Sequence, residues 1–387
     1  MNKKFYMDYA ATSPINPRAF ASYVKASTEC IGNPSSPHSE GHKARQAIED
    51  ARRRIAKCMG CEPREIIFTS GGTESNNMAS QILAPRGDDT CMNTVIPTYL
   101  EHHSAEIHNA LLHWLAPDSE GFIHPTQVML FVKDLSHPSF VIQYANSDIG
   151  TIQDISGLSK IKSTDQLFFT DAVQAVGHIP INLRTLNKVD MLSASAHKFG
   201  GVKGVGFLFI RSETAGSYHN FHRLMYGGNQ EFGYRPGTEN VPAIVAMATA
   251  LEDALDGIDY KIEKRRSVQK RLIEGLSLIP DAELNGAIDL TRRLPNNVSF
   301  SFKGIFGDTL VALLDAKYNI IVSAGAACES GNLDGNRIVK AIGKSEELAK
   351  GTIRITFGDD LVNDTDGVGY VIQSITDAVK ELRKVKK

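Results

Sequence analysis

Val189-Asp-Met-Leu-Ser-Ala-Ser-Ala-His-Lys-Phe-Gly-Gly-Val-Lys-Gly204 opens as an apolar run, passes through small residues and delivers Lys198 just ahead of a glycine cluster. That pattern predicts a buried strand ending in a loop. A lysine presented there is partly desolvated, so its pKa falls and its amine becomes a nucleophile towards a carbonyl, a Schiff-base lysine. On this stretch alone a solvated surface lysine remains the alternative. The chemistry that the rest of the chain places around Lys198 separates the two.

On its N-terminal side, Leu167-Phe-Phe-Thr-Asp171 ends a predicted strand in a carboxylate, with Gln174 one turn on, and on its C-terminal side Gly204-Val-Gly-Phe-Leu-Phe-Ile210 suits another buried strand. Earlier, Glu65-Ile-Ile-Phe-Thr69 reads as a strand running into Ser70-Gly-Gly-Thr-Glu-Ser-Asn-Asn77, a glycine turn opening a helix. Free N–H groups and the helix dipole make such a turn an anion site, to which Thr73 adds a hydroxyl. Thr94-Val-Ile-Pro97 leads into Glu101-His-His-Ser104, and a strand at Pro138–Ala145 ends in Asn146-Ser-Asp-Ile-Gly150. Strands alternating with helices imply an α/β domain with a largely parallel sheet covered on both faces. Ligands in such sheets sit beyond the carboxyl ends of the strands. Thr73, His102, Asp171, Gln174 and Lys198 all fall at or just after those ends.

From His42 to Met59, Ala44, Ile48, Ala51, Ile55 and Met59 recur at helical spacing, which predicts an amphipathic helix with Gly60 as its C-cap. Past the polar loop Gly227–Asn240, long helices are expected from Val241 to Leu278. Strands follow at Asn297–Phe302, Ile320–Ser323 and Thr352–Phe357, and helices around Asp308–Leu314 and Val371–Lys384, which makes an α+β second domain.

A chain of 387 residues is long enough for a large and a smaller domain. Lys and Arg number 42 against 44 Asp and Glu, so no strongly basic surface favours nucleic acid or an anionic membrane, and the expected partners are small molecules or proteins. No run is apolar enough for a signal peptide or a bilayer span, and five sparse cysteines suit a reducing compartment, so a cytoplasmic location is expected. Cys58-Met-Gly-Cys61 has the spacing of half a zinc site, but without a second pair it reads as a helix end.

Gly32-Asn-Pro-Ser-Ser, Thr69-Ser-Gly-Gly-Thr-Glu-Ser, Glu101-His-His, Asp171-Ala-Val-Gln, Ser195-Ala-His-Lys, Arg235-Pro-Gly-Thr-Glu-Asn and Ser323-Ala-Gly-Ala-Ala-Cys328 follow one another along the chain. These seven motifs in order resemble those of the cysteine desulfurases, within the class V, fold-type I pyridoxal phosphate (PLP) enzymes. The resemblance implies a fold-type I α/β transferase. A large PLP-binding domain over 16–254 would carry a mostly parallel seven-stranded sheet, and 1–15 with 255–387 would form a smaller α+β domain. It also implies roles. Lys198 would hold PLP as a Schiff base and shuttle the substrate α-proton, and Asp171 would keep the pyridinium nitrogen protonated. His102 would stack on the ring and move protons, and Gln174 would hydrogen-bond the phenolic oxygen. Gly72, Thr73, Ser195 and His197 would hold the phosphate, with Thr238 reaching in from the other subunit of a homodimer. Asn33 and Arg354 would bind the substrate carboxylate. Cys328, expected on a mobile and exposed loop, would attack the sulfur of bound L-cysteine, carry it as a persulfide to an acceptor protein and leave alanine. The long loop resembles the group typical of iron–sulfur assembly and tRNA thiolation.

Three features depart from that family. Ser147, in Asn146-Ser-Asp148, stands where an asparagine is usual near the phenolic oxygen; Phe232 takes a usually basic position; and Lys387 ends the chain short of the tail by which housekeeping members engage a scaffold. Selenocysteine lyase, cysteine sulfinate desulfinase and a PLP-binding sulfur carrier with little turnover are the alternative readings.

Overall fold

The computed structural model describes residues 3–83, 94–107, 110–217, 224–325 and 335–385, so Cys328 lies outside the described residues. After the short β1 (Phe5–Tyr6), seven strands make the large sheet: β2 (Ile66–Thr69), β3 (Thr94–Pro97), β4 (Leu111–Leu112), β5 (Ser139–Val141), β6 (Phe168–Asp171), β7 (Met191–Ser195) and β8 (Gly206–Ile210). Their order is β2-β8-β7-β6-β5-β3-β4. Strands β3 to β7 run parallel, while β8 is antiparallel to both β2 and β7. This is the expected mostly parallel seven-stranded sheet.

Its strands read as continuous apolar runs because both faces are buried. Phe68, Phe140, Phe168 and Leu192 pack on one side with Ile48, Ile55, Met247 and Leu251, from the helices Ser39–Met59 and Val241–Leu255. The alternate residues Ile67, Val141, Phe169 and Met191 point the other way and meet Met78 and Ile82 of the helix Gly72–Leu83. Gly60 is the C-cap, at φ 68°. Burial pushes the Cys58 and Cys61 thiols up to about 11 and about 12, which makes them poor metal ligands or nucleophiles near neutral pH.

A second core lies in the C-terminal part. Strands β9 (Ala282–Leu284), β10 (Asn297–Phe302), β11 (Ile320–Ile321) and β12 (Thr352–Thr356) include an antiparallel sheet of order β12-β10-β9, while β11 pairs in parallel with β1. Phe300, Ile353 and Val371 share this core with Phe5 and Met7, so the N-terminus packs with the C-terminal part of the chain. That placement positions the site, because residues 8–13 then cross from the second core to the Lys198 loop.

Differences from expectation are local. Strand β5 covers only Ser139–Val141 of the predicted Pro138–Ala145, although Ile142 and Tyr144 still donate to Phe169 and Asp171 carbonyls at 3.1 and 2.9 Å. Strands β1, β4 and β9 are two or three residues long, too short for periodicity to register. Among the described residues no helix is long and apolar enough to cross a membrane.

One buried ion pair ties the polar loop after residue 227 to the sheet. The Arg52 guanidinium donates to Glu231 at 2.6 and 2.9 Å and to the Ile66 carbonyl at 2.5 Å, and Glu231 also accepts from the Phe68 amide at 2.7 Å. The guanidinium carbon lies 4.5 Å from the Phe68 ring centroid and 5.1 Å from that of Phe232, which gives the unusual Phe232 a packing role. Arg52→Met should lower stability by about 3–5 kcal/mol, because it strands a buried carboxylate. Denaturant unfolding checks this, and adding Glu231→Gln should recover part of the loss.

Candidate active site

Strand β7 ends at Ser195, and one tight 3-10 turn, Ala196–Lys198, turns Lys198 into a cavity at the carboxyl edge of the sheet. Ser13 clamps the turn: its amide and hydroxyl both donate to the His197 carbonyl, at 2.9 and 2.8 Å, and the Gly200 amide donates to its hydroxyl at 2.8 Å. Gly200 lies at φ 88°, which lets the chain reverse beneath the lysine. The Lys198 ammonium donates to the Ala10 and Ala11 carbonyls at 2.6 and 2.9 Å, so it is held by the segment crossing from the second core. Gln174 Nε2 donates to the same Ala10 carbonyl at 3.0 Å.

Two cavities meet at Lys198. The first, of about 130 Å³, is lined by Gly72, Thr73, Asp171, Ser195 and His197 among others. The second, of about 160 Å³, reaches Asp148, Arg337 and Arg354. His102, Gln143, Ser147, Gln174 and Lys198 line both.

The first cavity is polarised. The helix Gly72–Leu83 starts on its wall, where Gly72, Thr73 and Ser195 all line it, and a helix start offers amides and a positive dipole to an anion. Gly206 allows the close approach: a Cβ there would stand 2.4 Å from the Ala194 oxygen and 2.7 Å from the Gly71 Cα. His197 donates or accepts with Thr12 Oγ1 at 3.2 Å, and burial, aided by the Lys198 charge, pushes its pKa down to about 4. Its imidazole is therefore neutral at pH 7. Asp171, 3% exposed and on the same cavity, accepts from Asn76 Nδ2 at 2.8 Å, the Val173 amide at 2.9 Å and Ser193 Oγ at 3.4 Å.

Asn76 continues the network, donating to Ser104 Oγ at 2.8 Å. Ser104 contacts His102 Nδ1 twice, through Oγ at 2.7 Å and through its amide at 3.1 Å. Nδ1 accepts from that amide, so the proton of the neutral ring sits on Nε2. Desolvation lowers the His102 pKa; the Asp171 charge opposes this, and Lys198 reinforces it. Behind the lysine, burial holds His178 at about 4, and its Nε2 lies 2.9 Å from the Lys198 carbonyl.

On the second cavity Arg354, from β12, is gripped by two carboxylates, Asp8 at 2.8 Å and Asp148 at 3.0 Å. A substrate carboxylate arriving there must share or displace one of them. The backbone of Ser323, which opens the cysteine motif, exchanges hydrogen bonds with Arg354 at 2.6 and 3.1 Å, and Asn336 donates to Asp148 at 3.2 Å. Both flanks of the segment carrying Cys328 are thus fastened to the wall of this cavity. Two predicted site residues stand elsewhere. Asn33 is exposed and accepts from the Ser35 amide at 2.9 Å, and Thr238 is exposed on the polar loop. Their neighbours Ser35 and Glu239 line a separate surface cavity of about 410 Å³.

The model of the family described as Aminotransferase class-V matches residues 5–368. This chain belongs to that family. It is 40% identical to cysteine desulfurase IscS of Dictyoglomus turgidum, over 100% of this chain and 97% of the relative. It is 38% identical to cysteine desulfurase IscS of Clostridium botulinum, over 100% and 96%. A solved structure described as a NifS-like protein superposes with a TM-score of 0.87 at 32% identity, covering 98% of this chain and 100% of that one. The mixed sheet and its flanking helices are accordingly those of a fold-type I class V enzyme.

Within this class V site, sequence reasoning passed over Asn76, Ser104 and Glu101 as functional residues. Asn76 lies one helical turn beyond Thr73, a spacing that signals a shared face. Glu101 is buried: its Oε1 accepts from Thr98 Oγ1 at 2.6 Å and from the Gln143 amide at 3.0 Å, while among the described residues Oε2 has no partner. Desolvation, reinforced by the Asp171 charge, raises its pKa to about 8. Folding therefore favours the protonated acid, and the stability this confers fades as pH rises from the ordinary carboxylate value to about 8. In Glu101→Gln the thermal midpoint, relative to the parent, should climb by a few degrees across that window and level off above it. A pH series of melting curves reads the difference.

Proposed function

We propose that this chain is a PLP-dependent cysteine desulfurase, which takes the sulfur of L-cysteine onto Cys328 for delivery to an acceptor protein and releases L-alanine. The observation that carries the reading is Lys198 on one cavity with a set of anion donors and a buried, fully oriented carboxylate. That donor set fits PLP: helix amides, Thr73, Ser195 and the neutral His197 for a phosphate, Asp171 for a pyridinium nitrogen and Lys198 for an aldehyde. The printed names of the relatives point to the same substrate.

When bound, PLP supplies an electron sink for the pair left by a broken Cα–H bond. The chain's own residues do the rest. Asp171, held by Asn76 and the Val173 amide, would keep a proton on the ring nitrogen. The Lys198 amine would remove the α-proton, and the His102 Nε2 proton would serve the same junction. Arg354 takes the substrate carboxylate, with Asp8 or Asp148 giving way. The Cys328 thiolate attacks the substrate sulfur: an S–S bond forms, the Cβ–S bond breaks, and the carbon skeleton takes up protons to leave as alanine.

The two hydrophobic cores support a division into a large domain over 16–254 and a smaller one over 1–15 and 255–387. The exposed Thr238 supports a homodimer in which it joins the phosphate donors of the partner's site. Free, unpaired Cys30, Cys58 and Cys61 support a reducing, cytoplasmic setting. Purified protein given L-cysteine and a thiol reductant should release sulfide and alanine in equal amounts, and Lys198→Ala should abolish both together with the visible absorption band. Absence of products from the parent protein, even with a sulfur acceptor added, contradicts the reading.

A further inference from the structure

Gln143 lies two residues beyond β5, is 6% exposed, and is one of the five residues lining both cavities. Its side chain cannot turn freely. Asn146 accepts from the Asp148 and Ile149 amides through Oδ1, at 2.8 and 3.0 Å, so its Nδ2 must be the donor it directs at Gln143 Oε1, 3.0 Å away. The Gln143 carboxamide is thereby oriented with Oε1 satisfied and Nε2 free: among the described residues Nε2 has no acceptor. Its backbone amide is pinned as well, 3.0 Å from Glu101 Oε1. A fixed, unspent N–H donor at the edge of a polar cavity is a recognition group in waiting.

The layout of the cavities indicates what it meets. Thr73, Ser195 and His197 line only the first cavity, and Arg354 only the second. In PLP the carbon that joins the lysine is flanked on one side by the phosphate arm and on the other by the phenolic oxygen. With the phosphate at the Thr73 end and Lys198 at the junction, the phenolic oxygen falls to the wall shared by both cavities. There Ser147 offers a short hydroxyl, while Gln174 already spends one Nε2 hydrogen on Ala10. Resting on the PLP reading above, we propose that Gln143 Nε2 donates a hydrogen bond to the phenolic oxygen of the cofactor. Gln143 is then a positioning residue that sets how readily the lysine-linked cofactor loses its proton.

A donor on that oxygen draws off negative charge and weakens its hold on the proton shared with the lysine nitrogen, so losing the donor raises the pH at which the visible band titrates. Gln143→Met and Gln143→Leu each remove the donor, so misfolding of one leaves the other. In spectrophotometric titration of the cofactor-loaded protein without substrate, the midpoint should move up by about one pH unit, the size of one lost hydrogen bond to a charged oxygen. A midpoint within experimental error of the parent's, with or without a raised KM for L-cysteine, overturns this inference and leaves the PLP reading standing. A parent protein with no visible band after incubation with PLP overturns both.

Discussion

Asp171 is the constraint on which the site depends. A carboxylate 3% exposed must be paired or hydrogen-bonded to stay ionised, and here a helix side chain, a strand hydroxyl and a loop amide all donate to it. Each donor comes from a different element around the seven-stranded sheet. Asn76 requires the helix Gly72–Leu83 to pack across β6, and Ser193 requires the β6–β7 register that pairs Asp171 with Ser193. The same register carries β7 on to Ser195 and the turn bearing Lys198. Orienting the carboxylate therefore also fixes the lysine and, through Asn76 and Ser104, the tautomer of His102.

The two cavities divide the chemistry by the origin of their walls. The first is made by ends of strands of the seven-stranded sheet and a helix N-terminus, elements that suit a permanently bound group. The second is closed by Arg354 and Arg337 from the C-terminal part and by Ala10 and Ala11 from the N-terminal crossing. Its arginine rests between two aspartates, so under the proposed function a substrate carboxylate would rearrange charge there rather than fill a ready vacancy. Both flanks of the cysteine-bearing segment attach to this second wall, which under the proposed function would couple substrate entry to the place where sulfur departs.

Much of this was legible in the sequence, because it follows from local rules. Continuous apolar runs marked β6, β7 and β8, the helical spacing of Ala44 to Met59 marked an amphipathic helix, and the glycine turn before Thr73 marked an anion site. Placing polar residues after predicted strand ends was enough to gather Thr73, His102, Asp171, Gln174 and Lys198 around one cavity. What stayed hidden depends on tertiary partners. That Arg354 meets Asp8 and Asp148, 346 and 206 positions away, cannot be read from spacing. Gln143 looked like one polar residue in a strand that ran on to Ala145; only the end of the β5 ladder at Val141 and the lock on Asn146 reveal its free donor. Resemblance alone groups Asn33 with the substrate carboxylate and Thr238 with the phosphate; within this chain both are exposed beside residues of a different cavity.

Under the proposed function, a group held by Lys198 and Asp171 lets the sulfur of L-cysteine pass to Cys328. The most direct measurement is peptide mass spectrometry of the protein after brief exposure to L-cysteine without reductant, with alanine counted in parallel. One sulfur atom added to the Cys328 peptide, matched by one alanine per loaded site, is the predicted result. Alanine formed with no sulfur on Cys328, or sulfur carried on another cysteine, would contradict the account.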